Sequence, residues 1–225
     1  MISAHTLFLC CLCHYYLYCL IRTSSRGAWL GIIIGLIVFF YFYNKKFTLL
    51  IPIILVLVIS TFPNGLSRIN SLFSGEKNSS WERTKLWEGT WNMIKEHPVA
   101  GFGINTFSDN FPKYKPKDYP DLRYAHNSYL QMWSEIGIIG LLAFLGLIFT
   151  TLWVVFRKIK KKIKTGFLGL VLLGLVSGWI SFLIQAALDT NLYSLVLITN
   201  FWFITALIIS LNNFIENNTE RPQSK

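Results

Sequence analysis

Six stretches of the chain are almost free of charge, and polar sequence separates them. They cover residues 2–21, 28–43, 47–62, 136–156, 166–187 and 195–211. A helix needs about 20 apolar residues to cross a hydrocarbon core, and slightly shorter ones cross when they stand upright. The pattern therefore predicts an all-α, polytopic integral membrane protein with about six transmembrane helices. Three of them fall in 1–62 and three in 128–211. Between lies one large hydrophilic loop, 63–127, and a polar tail, 212–225, follows.

Basic residues orient this arrangement. "RKIKKKIK" at 157–164 sits between two apolar runs, as a cytoplasmic loop does under the positive-inside rule. Parity then puts the N-terminus, Lys45, Lys46 and the tail in the cytoplasm. The loop 63–127 and the 188–194 turn fall outside. Ten Lys and Arg against two acids lie inside by this count, and eleven against nine outside.

Composition adds little that the pattern does not already say: 53% hydrophobic and 14% charged residues in 225. The net charge of +10 gathers at the membrane edges. Attraction to anionic lipid headgroups accounts for it, so no nucleic-acid partner is expected. All four cysteines lie in the first apolar run. Cys10-x-x-Cys13-His14 has no second ligand cluster, so neither a disulfide framework nor a metal site is expected. The same run lacks a basic leader and a small-x-small cleavage site, which argues against a signal peptide.

The loop carries one amphipathic helix. In "SSWERTKLWEGTWNMIKEHP" (79–98), Ser79 and Glu82 form a capping-box start and Pro98 a stop. Trp87, Trp91 and Ile94 share a face, and Arg83 stands one turn before Trp87 on the same stripe. Tryptophans beside a bilayer suggest an interfacial helix, with Arg83 directed at the headgroup layer or the protein mouth. A cation–π contact with Trp87 is the competing reading. "GFGINTF" (101–107) reads as a flexible turn without the third glycine of a nucleotide loop. "PKYKPKDYP" (112–120) reads as a lid-like loop, with Asp118 and Asp121 solvated.

Candidate chemistry collects at the external mouth. "RTSSRGAW" (22–29) places Arg22 and Arg26 there, Arg26 directly before Gly27 and an apolar helix. An arginine near membrane depth is a functional candidate, and a lipid phosphate is its natural partner. Guanidinium grips phosphate bidentately and keeps its charge. Snorkelling at the interface is the alternative. In "RYAHNSY" (123–129), Arg123, His126 and Asn127 stand where the loop becomes the next long helix. Asn127 or Ser128 caps that helix. His126 offers an imidazole, the side chain suited to taking a proton near neutrality. Glu135, nine residues on, is expected to pair with an arginine of the mouth.

Three of these stretches, in order, resemble the O-antigen ligase / O-antigen polymerase superfamily of bacterial membrane glycosyltransferases. They are "SSRGAWLG", then Arg83-x-x-x-Trp87 running on to "HPVAGFGINTF", then "HNSYLQMWSEIGIIG" with Gly137 and Gly140. The resemblance spans about residues 22–211 and covers the C-terminal half of a typical, longer member. The chain is accordingly expected to be a fragment, a mis-started reading frame or a half that needs a missing N-terminal partner. The resemblance implies a multi-pass protein of the bacterial inner membrane, with both termini cytoplasmic. It also implies an undecaprenyl-pyrophosphate-linked glycan as donor, and an acceptor hydroxyl on lipid A–core, a growing chain or another surface acceptor. Arg26 and Arg83 match the pyrophosphate-binding arginines and His126 the general base. Arg22, Arg123, Asn127 and Glu135 stand as supporting residues. No cofactor and no metal are implied.

The residue supply agrees with such a transfer. The leaving phosphate needs positive charge, which arginines give, and the acceptor needs a base. The chain has no Asp-x-Asp metal motif, and a single inverting displacement fits. A retaining route would want a carboxylate pair, and Glu135 and Asp189 are the only acids near the membrane outside the loop. Two other functions compete. One is half of a lipid-linked glycan transporter or flippase, which needs polar groups at the midplane, Gln185 being the main candidate. The other is a folded, non-catalytic fragment.

Overall fold

The computed structural model describes residues 25–49, 79–117, 119–163 and 166–220, with isolated positions 11, 14–16, 18–20 and 22. Most of the expected spans 2–21 and 47–62, and the stretch 63–78, lie outside the described residues. Among the described residues four helices are long and apolar enough to cross a membrane: Arg26–Leu49, Ser128–Phe156, Phe167–Ala186 and Leu195–Asn218. No strand occurs among the described residues. The protein is an all-α membrane protein.

Helix α1 (Arg26–Asn44) opens at Ser25, whose hydroxyl accepts from the Ala28 N–H at 3.3 Å. It lies against the later helix Phe167–Ala186 through Gly27, Gly31 and Gly35. A side-chain carbon at Gly31 would stand 2.5 Å from the Ser181 carbonyl oxygen, so the two backbones touch with nothing between them. At the top of this seam Gly27 faces Leu188, which carries Arg26 to the turn that follows.

Helix α2 (Ser79–Glu96), the short α3 (Phe107–Asn110) and the loops around them build a second core outside the bundle. Leu86, Met93, Phe107, Phe111 and Ala125 are its buried members. The buried face of α2 is thus Leu86, Thr90, Met93 and Ile94. This corrects the stripe read from sequence, which runs through Arg83, Trp87, Trp91 and Ile94: of these only Ile94 is fully buried. The 102–125 loop folds over α2, so protein covers it from a direction that periodicity alone does not specify. Trp87 is half-buried and donates from Nε1 to the Ala125 carbonyl at 3.1 Å. Trp91 stays exposed, edge-on to Trp133.

Helix α4 (Ser128–Phe156) breaks at Gly137, whose φ of 69° and ψ of −178° no other residue adopts cheaply. The expected apolar run 136–156 begins at this break. Backbone groups freed there are met by the loop that follows α2. Phe102 and Gly103 donate to the carbonyls of Ser134 and Glu135 at 3.0 and 2.8 Å, and Ile138 donates to that of Pro98 at 2.9 Å. Irregular backbone at this depth is tolerated because protein covers and satisfies it.

At the far end lie α5 (Ile159–Ile163), then α6 (Phe167–Ala186) and α7 (Leu195–Glu220). Trp179 of α6 stacks on Phe201 of α7 and donates to Thr205 at 2.8 Å, which satisfies the indole inside the bundle. Helix α7 continues past residue 211, where the polar tail was expected, and brings Asn212 and Glu216 against α5. The basic run is therefore not wholly a headgroup patch. Lys162 is buried, pairs with Glu216 at 3.1 Å and donates to Asn212 and to the Val154 and Val155 carbonyls. It serves the orphan carbonyls that end α4. Phe42 stacks on Phe156, so the Lys45–Lys46 end of α1 meets the basic loop, as parity requires.

Candidate functional site

His126 occupies a left-handed backbone position, φ 48°, directly before α4. Asn127 caps the helix, its side-chain oxygen accepting from Tyr129 and Leu130 at 3.0 and 3.1 Å. The Ala125 N–H on the other side is held by the Gln131 side-chain oxygen at 3.0 Å. The imidazole is thus set on a turn pinned at both ends.

Its Nδ1 meets Oδ1 of Asp189 at 3.1 Å. Asp189 lies in the turn after α6, and Ser128 fixes that turn by donating from its N–H and hydroxyl to the Asp189 carbonyl. The Asp189 carboxyl is held below the ordinary aspartate range, first by the His126 hydrogen bond. The Thr190 N–H and the nearby Arg83 charge add to this against partial burial. An ionised carboxylate only accepts, so Nδ1 carries the proton and Nε2 is left as the acceptor of the ring.

His126 and Arg83 line one cleft of about 810 Å³. Trp81 and Tyr119 give it aromatic walls, and Lys85 and Lys117 add positive charge. Pro116 and Pro120 also line it. The Tyr119 hydroxyl ties this loop to the Glu82 carbonyl of α2 at 2.8 Å. Asp121, expected to be solvated, pairs with Lys115 at 2.7 Å while remaining exposed. Asp118 lies outside the described residues. Arg26 is exposed on the first turn of α1, at the same end of the bundle, and is not among the residues that line the cleft. Arg22 and Arg123 are exposed. Gln185 is in the last turn of α6 beside Gly27, near the mouth and not at the midplane expected of a transporter site.

Glu135 does not pair with an arginine of the mouth. It is 1% exposed and accepts from the backbone N–H groups of Asn105 and Phe107, at 2.9 and 3.3 Å, and from the Gln131 amide at 3.1 Å. The Tyr193 hydroxyl also bonds to it, and burial pushes that phenol well above its ordinary value. Backbone donors have replaced the expected guanidinium. The same contacts hold the 101–107 turn, so it is fixed where the glycines alone suggested flexibility. Gly101, at φ 70°, lies so close to the Glu135 backbone that a side chain would come within 2.4 Å of it.

Sequence reasoning placed Asp189 on the same side of the membrane as His126 but did not link the two, 63 residues apart. Its signal was a lone acid at the external end of an apolar run. Among the described residues no group of three or more His, Cys, Asp or Glu is placed to hold a metal ion.

The profile of the O-antigen ligase family matches residues 11–145. The chain is 33% identical over 141 residues to an O-antigen ligase of Salmonella typhimurium, covering 56% of this chain and 34% of that protein. It is 22% identical over 228 residues to the teichuronic acid biosynthesis protein TuaE of Bacillus subtilis, covering 92% of this chain and 45% of that one. The chain thus spans between a third and a half of the length of these relatives.

Proposed function

The chain belongs to the O-antigen ligase family, and on that premise we propose that it carries the transfer centre of a membrane glycosyltransferase for cell-surface polysaccharide. The donor is a glycan on undecaprenyl pyrophosphate and the acceptor a hydroxyl presented on the extracytoplasmic face. Nε2 of His126 takes the acceptor proton. The acceptor oxygen attacks the anomeric carbon and the bond to the diphosphate breaks, with inversion. Arg83 and Arg26 offset the charge that builds on the departing diphosphate. Asp189 keeps the imidazole in the accepting tautomer and balances the imidazolium once it forms. Trp81 and Tyr119 offer faces for sugar rings. Guanidinium groups serve the phosphate in this scheme without a metal ion. The observation that carries the reading is the His126–Asp189 pair opening on a cleft shared with Arg83.

The test is surface-glycan transfer in a complemented host lacking its own ligase. Substituting His126, Arg83 or Arg26 by alanine should abolish or sharply reduce transfer at normal protein levels. Unchanged transfer in both H126A and R26A removes the assignment.

A further inference from the structure

Glu135 and Gln131 are buried on the upper part of α4, and the proposed chemistry uses neither. Each is 1% exposed. Donors from three directions converge on Glu135: Asn105 and Phe107 from the loop, Gln131 from one turn earlier, and Tyr193 from the turn beyond Asp189. A carboxylate in that position only accepts, so Gln131 must present its NH2 to it. The amide of Gln131 is thereby oriented, and its oxygen faces the Ala125 N–H at 3.0 Å. That peptide precedes His126, whose positive φ is uncommon for a residue with a side chain.

We infer that Gln131, oriented by Glu135, is a positioning residue that holds His126 in its left-handed turn and keeps the imidazole on Asp189. The inference rests on the proposed function only for what His126 does once positioned. One carboxylate then sets two parts of the mouth together: the 102–107 loop directly, and the base through Gln131. Simple core filling would not require a relay in which the Ala125 N–H donates to the Gln131 oxygen and the Gln131 NH2 donates to Glu135.

The test is carbethoxylation of His126 by diethyl pyrocarbonate, followed by mass spectrometry on the whole chain in lipid nanodiscs. An imidazole released from Asp189 presents both nitrogens and reacts faster. Q131M keeps the volume and removes the hydrogen bonds. It should speed modification of His126 by roughly five- to tenfold, the effect of losing about one hydrogen bond, and leave His97 unchanged. Q131E alone sets two carboxylates together and should be at least as fast. In Q131E/E135Q the polarity of the pair is reversed, with an acceptor still facing Ala125. The rate should then return to within about twofold of the parent. A parental rate in Q131M, or an equal rise at His97 and His126, overturns the inference. If Q131M does not fold, Q131E against the double variant decides the same point. The readout needs no transfer activity. Failure here with an inactive H126A refutes the positioning role alone, whereas unchanged transfer in both H126A and R26A refutes the function and leaves the geometry test standing.

Discussion

Replacing Gly137 by alanine tests the joint between α4 and the unit built around α2 and α3. The added carbon would lie 1.9 Å from the Val99 carbonyl oxygen and 2.7 Å from the Ala100 nitrogen. Both are backbone, so no side chain can swing away and the 98–103 loop must retreat. The conformation itself, φ 69° and ψ −178°, costs a residue with a side chain about 1–3 kcal/mol. Retreat also breaks the bonds from Phe102, Gly103 and Ile138 across the joint, worth about 1 kcal/mol each. The sum is about 4–6 kcal/mol, a size that single substitutions reach only by such mechanisms. It corresponds to roughly a 10³- to 10⁴-fold larger local opening constant. Hydrogen exchange on peptides containing Phe102 and Gly103, measured in nanodiscs, reads that constant directly. G146A is the control, because nothing lies within 4 Å of its added carbon in the same helix. Protection that is unchanged in G137A, or reduced equally in G146A, would refute the reasoning.

Three further outcomes follow. D189N should lower transfer and remove an acid-sensitive contribution to stability. Because Asp189 is held below its ordinary value of 3.8, its contribution is full above that value and is lost as pH falls through the lower, folded-state value; thermal unfolding from pH 6 downward should show a shallower acid limb in D189N. K162M should destabilise the end of the bundle where α5 meets α7 by about 1–3 kcal/mol, because it removes the donor to Asn212, Val154 and Val155 while Glu216 keeps Arg157 at 4.0 Å, and K162M/E216Q should recover part of it, read by denaturant unfolding in detergent. G31A should part α1 from α6 at a cost of about 1–3 kcal/mol, since the added carbon meets the Ser181 backbone at 2.5 Å, and a lowered unfolding midpoint would show it.

The four spans among the described residues were legible because charge-free runs leave few alternatives in a bilayer, and the run beginning at 136 even marked the break at Gly137. Parity placed Asp189 and His126 on one side. Their hydrogen bond was not legible, because nothing local in either segment records a partner 63 residues away. Glu135 was assigned to a guanidinium because charge is what a sequence displays. Backbone N–H groups are present at every residue, and their convergence on a carboxylate is written only in the folded path of 102–107. The α2 stripe failed for a related reason: its residues admit two overlapping apolar faces, and the covering loop chose between them.

The break in α4 divides its 29 residues unequally. The stretch 138–156 rises about 28 Å, close to the thickness of the lipid interior, and the polar turns above it lie beyond that length. The height of the cleft over the lipid surface is therefore set by a strut of fixed length. A thicker membrane would submerge the lip where His126 stands, and a thinner one would lift it clear of the lipid surface.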